Sequence, residues 1–109
     1  MITEKRSPSY VFEIYIAGDI HDAKRALVKI ASQQGACWSV EPVEYIYSGG
    51  RELGCVIRYI NYPRFTKTAG TLEKDAVYVA TELMSELGQN SCSIVGPDET
   101  IWLTNRLEK

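Results

Sequence analysis

The chain has 109 residues, of which 45% are hydrophobic and 24% charged, values typical of a globular domain rather than a disordered chain. Its formal net charge is -2 at pH 7, which argues against a domain that coats long nucleic acid, since such domains depend on clustered Lys and Arg. No apolar run approaches the roughly 18 residues of a membrane span, and residues 1–9 lack the apolar segment of a signal peptide. We expect a cytoplasmic protein without membrane or long nucleic-acid partners.

The first third of the chain predicts a strand followed by a helix. Residues 10–17 alternate between a wholly apolar face and a mixed face, as in a half-buried strand. Gly18 interrupts this pattern, and Asp19 is suited to accept hydrogen bonds from the first amides of a helix. Apolar residues then recur at helical spacing from Ile20 onward, and Gly35 is the predicted stop.

The middle of the chain predicts a hairpin. Residues 37–47 and 54–62 are rich in β-branched and aromatic types, and Ser48, Gly49 and Gly50 between them suit a turn. Pro42 lies inside the first run, and since proline cannot donate to a strand ladder, that strand is expected to be an edge strand or bulged.

The last third predicts a loop, a helix and a second hairpin. Residues 63–70 read as loop, Thr71 as a helix cap, and Gly88 as the end of an amphipathic helix. Two short apolar runs, residues 92–95 and 101–103, flank a turn at residues 96–99.

This order predicts an α+β fold of the ferredoxin-like βαββαβ type, with two helices on one face of the sheet and an extra C-terminal strand. We expect a flexible N-terminus at residues 1–9, a single domain at residues 10–105 and a tail at residues 106–109. The second face of such a sheet is uncovered, and the chain has more large rings than the helix-covered core can absorb. Because an exposed aromatic face is normally covered by a partner chain, we expect a homo-oligomer.

The residues that usually carry catalysis are sparse. The single histidine, His21, is expected at a helix start, where a surface role is far commoner than catalysis. Cys37, Cys55 and Cys92 lie in strand-like runs and are expected to be reduced and buried. Carboxylates show no metal-ligand spacing. We therefore expect no catalytic residue, metal or cofactor, and favour a binding protein over an enzyme.

One group of rings, arginines and an amide remains around the hairpin in the middle of the chain and the loop that follows it. Rings can stack on a nucleobase, and arginine offers a planar fork to phosphate. Arg58 is the informative member, because a cation in mid-strand needs a carboxylate, a partner chain or a ligand. The predicted ligand-binding residues are Tyr45, Tyr47, Arg51, Arg58, Tyr59, Asn61, Tyr62, Arg64 and Phe65. The alternative is that this aromatic surface is an oligomer or protein interface, where Tyr and Arg are also enriched.

Three segments resemble small α+β proteins encoded by bacteriophages: FEIYIAGD at residues 12–19, NYPRF at 61–65 and IVGPDETIW at 94–102. The resemblance brings no catalytic residues. It implies an anti-defence protein in the host cytoplasm, of the type that sequesters a nucleotide-derived immune signal.

Taken with the rings and arginines, the resemblance predicts a non-catalytic phage protein that binds a small anionic nucleotide-like ligand. The alternative hypothesis is a protein-protein inhibitor or assembly module that uses the exposed aromatic sheet face.

Overall fold

A computed structural model describes residues 1–34 and 36–106. Its elements are β1 (Val11–Ala17), α1 (Ile20–Gln34), β2 (Ser39–Tyr47), β3 (Gly50–Ile60), a 3-10 turn (Pro63–Phe65), α2 (Ala69–Leu87), β4 (Ser91–Val95) and β5 (Thr100–Thr104). The strands form one antiparallel sheet in the order β2-β3-β1-β4-β5. Helix α2 packs on β1 and β4, and α1 packs on β3 and α2. This confirms the predicted ferredoxin-like fold with an extra strand.

The core lies between the helices and one face of the sheet. Alternation in β1 buries Phe12, Ile14 and Ile16, and the register places Ile14 between Ile57 of β3 and Ile94 of β4. Burying each of these isoleucines contributes roughly 2 kcal/mol relative to exposure. The residues between them in sequence point to the face that the helices leave open.

The helix ends follow local hydrogen-bond chemistry. Asp19 caps α1 as predicted: its Oδ1 accepts from the backbone N–H of His21 at 2.7 Å and of Asp22 at 3.3 Å, and these bonds lower its pKa. The predicted stop at Gly35 lies outside the described residues. Gly88, with a φ of 66°, closes α2 as predicted. The predicted cap at Thr71 was wrong, because Thr68 accepts from the Thr71 N–H at 3.1 Å and the helix begins at Ala69.

The second strand of the β2–β3 hairpin begins earlier than predicted, at Gly50 rather than at Gly54. The turn is two residues long, because Gly49 adopts a positive φ of 90° and lets the ladder resume at Gly50. Strand β2 is an edge strand with an unbroken register through Pro42. It begins at Ser39, so the prediction that Cys37 is a buried strand residue was wrong: Cys37 precedes the strand and is exposed.

No helix in the described ranges is long and apolar enough to cross a membrane.

Candidate functional site

The nine predicted ligand-binding residues do not form one cluster, and their role in binding stays a prediction. Two of them, Tyr45 and Tyr47, line a hollow on the open face of the sheet. Four others line a cavity beside the 3-10 turn: Tyr59, Tyr62, Arg64 and Phe65. The remaining three, Arg51, Arg58 and Asn61, line neither.

The hollow on the sheet, which we name the open-face basin, has a volume of about 440 Å³. Strand pairing builds it: Tyr15 of β1 lies beside Ser93 of β4, which lies beside Trp102 of β5. The β2–β3 register supplies the other side, where Tyr45 is opposite Glu52. The lining side chains used below are Tyr15, Tyr45, Tyr47, Glu52, Ser93 and Trp102.

Glu52 is the only carboxylate among the residues that line the basin, within the described part of the chain. The Tyr47 hydroxyl donates to Glu52 Oε1 at 3.1 Å, and this hydrogen bond raises the pKa of Tyr47. Sequence reasoning missed Glu52. The signal available was the two-residue turn, which places Glu52 on the same face of the hairpin as Tyr45 and Tyr47.

Tyr45 is held across the floor of the basin. Its hydroxyl donates to the backbone oxygen of Cys55 at 2.7 Å, and burial raises its pKa to about 12. The ring lies over Gly54, where an added Cβ would come within 2.5 Å of Tyr45 Cε2 and 2.8 Å of the Ala17 Cα. Glycine at this position is therefore what allows the ring to lie flat on the strand.

Arg58 lies further along the open face, and carboxylates already pair with it. Its Nε donates to Glu13 Oε2 and its Nη1 to Glu41 Oε1, both at 2.8 Å. The hydrogen bond to Glu41, followed by that to Glu13, raises the pKa of Arg58. The Glu13 Oε1 also accepts from the Tyr15 hydroxyl at 3.3 Å. Two carboxylates around one guanidinium give this part of the open face a net negative charge, which does not favour the binding of an anion by Arg58.

Arg51 lies near the hairpin tip, with its Nε 3.4 Å from Glu44 Oε2. The register places Glu44 and Arg51 on the hairpin face opposite Tyr45 and Glu52. Arg51 is thus separated from both hollows.

The second hollow, which we name the loop cavity, has a volume of about 370 Å³. Buried Tyr59 and Leu72 lie at its base, while Ile60, Tyr62 and Phe65 are partly exposed around it. Its cationic side chains are Arg64 and Lys67, and the guanidinium carbon of Arg64 is 5.2 Å from the centre of the Phe65 ring. Burial raises the pKa of Tyr59.

Asn61 positions the loop rather than facing the cavity. It is buried, and its Nδ2 donates to the Pro8 oxygen at 2.9 Å. Its Oδ1 accepts from the Lys67 backbone N–H at 2.9 Å, and its backbone oxygen accepts from the Ser7 hydroxyl at 2.8 Å. A buried amide with these partners ties the N-terminal segment to the loop.

The other chemically active side chains are dispersed. His21 is an exposed residue in the first turn of α1. Cys55 and Cys92 are buried, as predicted, and burial raises the pKa of both thiols, that of Cys92 to about 11. Across residues 1–34 and 36–106, no group of three or more His, Cys, Asp or Glu residues is arranged to hold a metal ion.

Two solved structures match this chain over its whole length. One is a phage SAM lyase in the apo state, with 13% identity, 100% coverage of both chains and a TM-score of 0.76. The other is a phage SAM lyase in complex with S-methyl-5'-thioadenosine, with 12% identity, coverage of 100% of this chain and 99% of that chain, and a TM-score of 0.65. The chain has the fold of these phage SAM lyases. No protein-family model and no curated protein sequence matches it.

The comparison overturns the predicted function. The prediction of a non-catalytic protein that sequesters a nucleotide signal was wrong, because the solved structures with this fold are named as enzymes. The solved structures give no support to the protein-inhibitor alternative. The comparison supports the resemblance to phage proteins but not the nucleotide-sequestering type, and it shows a small ligand bound to one neighbour.

Proposed function

We propose that the protein is a lyase that binds S-adenosylmethionine (SAM) in the open-face basin and cleaves it to S-methyl-5'-thioadenosine. The observation that carries this proposal is the Glu52 carboxylate among four aromatic rings in the basin. The fold shared with two phage SAM lyase structures supports it.

The chemistry of the basin suits a sulfonium ion. The sulfur of SAM carries a positive charge at every pH, and a cation is attracted to the faces of Trp and Tyr rings. A carboxylate nearby adds a Coulombic attraction that grows as water is excluded. Tyr15, Tyr47 and Trp102 supply the rings, and Glu52 supplies the negative charge.

The loop cavity is less suited to the same ligand. Its lining contains Arg64 and Lys67 and, among the described residues, no carboxylate. Cations of like sign disfavour a sulfonium at close range. Charge therefore selects the basin.

The proposed reaction breaks the bond between the sulfonium sulfur and the γ-carbon of the amino-acid chain. The electron pair goes to sulfur and gives the neutral thioether S-methyl-5'-thioadenosine. No water is consumed, so the four-carbon fragment either loses a proton and becomes an alkene or closes a new bond within itself. We propose that the carboxylate oxygen of this fragment attacks the γ-carbon and forms a lactone. This route requires only that the protein bind and orient the substrate, and it needs no catalytic base.

We further propose that the protein forms a homo-oligomer through its open face. The basin is shallow, whereas small-molecule sites commonly bury 70–90% of their ligand. Tyr47 and Trp102 are about half exposed there. A second copy on this face would cover both the rings and the ligand. Sedimentation velocity at micromolar concentration tests this, and a monomer there contradicts it.

The main test is incubation of the purified protein with SAM, followed by mass spectrometry for S-methyl-5'-thioadenosine and NMR of the four-carbon product. We expect stoichiometric release of both products, with the lactone rather than an alkene. Recovery of intact SAM under conditions where the protein is folded contradicts the proposal.

Variants of the hairpin locate the site. Glu52→Gln removes the basin's negative charge and is expected to lower kcat/KM by about 100-fold, the scale of losing one preorganised electrostatic group. Glu44→Gln, on the opposite face of the same hairpin, is the matched control and is expected to change activity less than twofold. Equal losses in both variants would place the site elsewhere.

In a cell, cleavage of SAM would remove the substrate of methyl-transferring enzymes. We propose that the protein acts in the host cytoplasm against a defence that needs SAM. The fall of the SAM pool on expression of the active protein, and not of Glu52→Gln, tests this.

A further inference from the structure

We propose that the loop cavity is a second ligand site, for a small molecule that combines one planar aromatic ring system with one anionic group. This goes beyond the proposed cleavage of SAM and carries no sequestering role. The loop cavity and the open-face basin have no lining residue in common.

The cavity has the size and the walls of a small-molecule site. Its volume of about 370 Å³ lies within the range of roughly 300 to 1,000 Å³ found for ligand pockets. Tyr59 and Leu72 form a buried base, at 5% and 4% exposure. An apolar base of this kind favours a flat ring over a charged group at depth.

The rim exposes aromatic surface. Phe65 and Tyr62 are 63% and 43% exposed and lie on either side of Pro63 and Arg64 in the loop. Both rings offer a face on which a planar ligand can stack. Stacking there would remove apolar surface of both ligand and protein from water.

The rim also offers a cation for an anionic group. Lys67 pairs with Asp75 at 2.8 Å, but Arg64 forms no ion pair with any described residue. Its guanidinium lies over Phe65 instead. A planar guanidinium beside a ring can bind a carboxylate or phosphate while the ring stacks on the rest of the ligand.

The loop is held in place before any ligand binds. The Phe65 N–H donates to the Tyr62 oxygen at 2.9 Å, and Asn61 accepts from the Lys67 N–H at 2.9 Å. Thr66 Oγ1 donates to the Asn61 Oδ1 at 3.4 Å. A loop fixed in this way loses little conformational entropy on binding.

The two tryptophans allow each site to be followed separately. Trp38 packs edge-on against Tyr59, with 5.7 Å between ring centres, and Trp102 lines the basin. In a Trp102→Phe protein, Trp38 is the single indole reporter, and it is placed against the base of the loop cavity.

The test titrates Trp102→Phe with adenosine 5'-monophosphate as the probe, following Trp38 fluorescence and, in parallel, equilibrium dialysis. We expect saturable binding that is about tenfold weaker for adenosine, which lacks the anion, and undetectable for inorganic phosphate, which lacks the ring. Arg64→Ala in the same background is expected to weaken binding about tenfold. The matched control Arg51→Ala, a cation away from the cavity, is expected to stay within twofold.

Two outcomes overturn the inference. One is that equilibrium dialysis at a probe concentration of about 1 mM shows no bound adenosine 5'-monophosphate. Dialysis detects binding even if it does not change the fluorescence of Trp38. The other is binding that Arg64→Ala leaves unchanged and Glu52→Gln abolishes, which would assign the probe to the basin. Neither outcome bears on SAM cleavage, which is measured by its own products.

Discussion

The two faces of the same sheet differ in what their side chains do. On the helix-covered face, Ile14, Ile57 and Ile94 are fully buried and belong to the hydrophobic core. On the open face, Glu13 and Arg58 are adjacent across the β1–β3 pair, and Tyr15 follows two residues later on β1. Because successive residues of a strand point to opposite faces, each strand contributes to both.

The difference indicates that neighbouring residues of one strand have different roles: one contributes to the stability of the core, and the next to the proposed chemistry of the open face. Replacing a residue on the covered face should change unfolding, whereas replacing its sequence neighbour on the open face should change binding or local charge. Each variant below tests that separation of roles.

The largest expected effect is that of Ile57→Ala. Removal of a fully buried side chain between Ile14 and Val40 leaves a cavity and should cost about 3 kcal/mol of unfolding free energy. Tyr47→Ala, at a half-exposed position of the open face, should cost less than about 1 kcal/mol. Denaturant unfolding measures both. Similar losses would show that Tyr47 is packed as tightly as a core residue.

Gly54→Ala is expected to break the separation, because it lies where the Tyr45 ring crosses the strand. The added methyl would meet the Ala17 Cα at 2.8 Å and the Ile16 oxygen even closer, so we expect a loss of about 2 kcal/mol together with reduced SAM cleavage.

The control for this variant is Gly70→Ala in the first turn of α2, where an added methyl meets nothing within 4 Å. It should be neutral or stabilise by up to about 1 kcal/mol. A silent Gly54→Ala would mean that Tyr45 does not need its observed position.

The covered face was largely predictable from sequence. Alternation in residues 10–17 and helical spacing in the two helices identify the core residues, since burial leaves a periodic apolar signal. The errors were local. Thr68 and Thr71 are both plausible caps, and only the hydrogen bond from the Thr71 N–H decides between them. Cys37 has a strand-like composition but lies two residues before the edge strand starts.

The open face was much less predictable. Tyr45 and Tyr47 were identified, but Glu52 was not, because one glutamate among 14 acidic residues has no local signature. The proposed lyase activity was not predicted from the sequence, for a chemical reason. The sequence shows no base beside a nucleophile and no metal-ligand spacing, whereas the proposed cleavage of a sulfonium needs only a charged, ring-lined surface. This surface is assembled from residues of all five strands.

A smaller effect is expected from Tyr45→Phe. It removes the hydrogen bond to the Cys55 oxygen, at a cost of about 1 kcal/mol near neutral pH. The variant should also change how the free energy of unfolding falls at alkaline pH. Because folding raises the Tyr45 pKa from 10 to about 12, its contribution is complete below pH 10 and is lost as the pH rises through 12.

Thermal unfolding between pH 9 and about pH 12 should therefore show a shallower decline in Tm for Tyr45→Phe than for the wild-type protein. Tyr78→Phe changes an exposed ring of α2 and serves as the control. Parallel declines for the wild-type protein and Tyr45→Phe would show that ionisation of the Tyr45 hydroxyl does not contribute to the loss of stability at high pH.

The smallest effect is expected from Arg58→Met, which keeps the length of the side chain but removes both ion pairs. Since Arg58 and its partners Glu13 and Glu41 are all partly exposed to solvent, the melting temperature should fall by less than in Ile57→Ala, and salt should reduce the difference by screening the lost charges. Arg51→Met removes the single, longer contact to Glu44 and should change the melting temperature even less.

Binding of adenosine 5'-monophosphate to the loop cavity should be unaffected in both variants, since neither arginine lines it. A loss of that binding in Arg58→Met alone would show that Arg58 contributes to the loop cavity, although it does not line it.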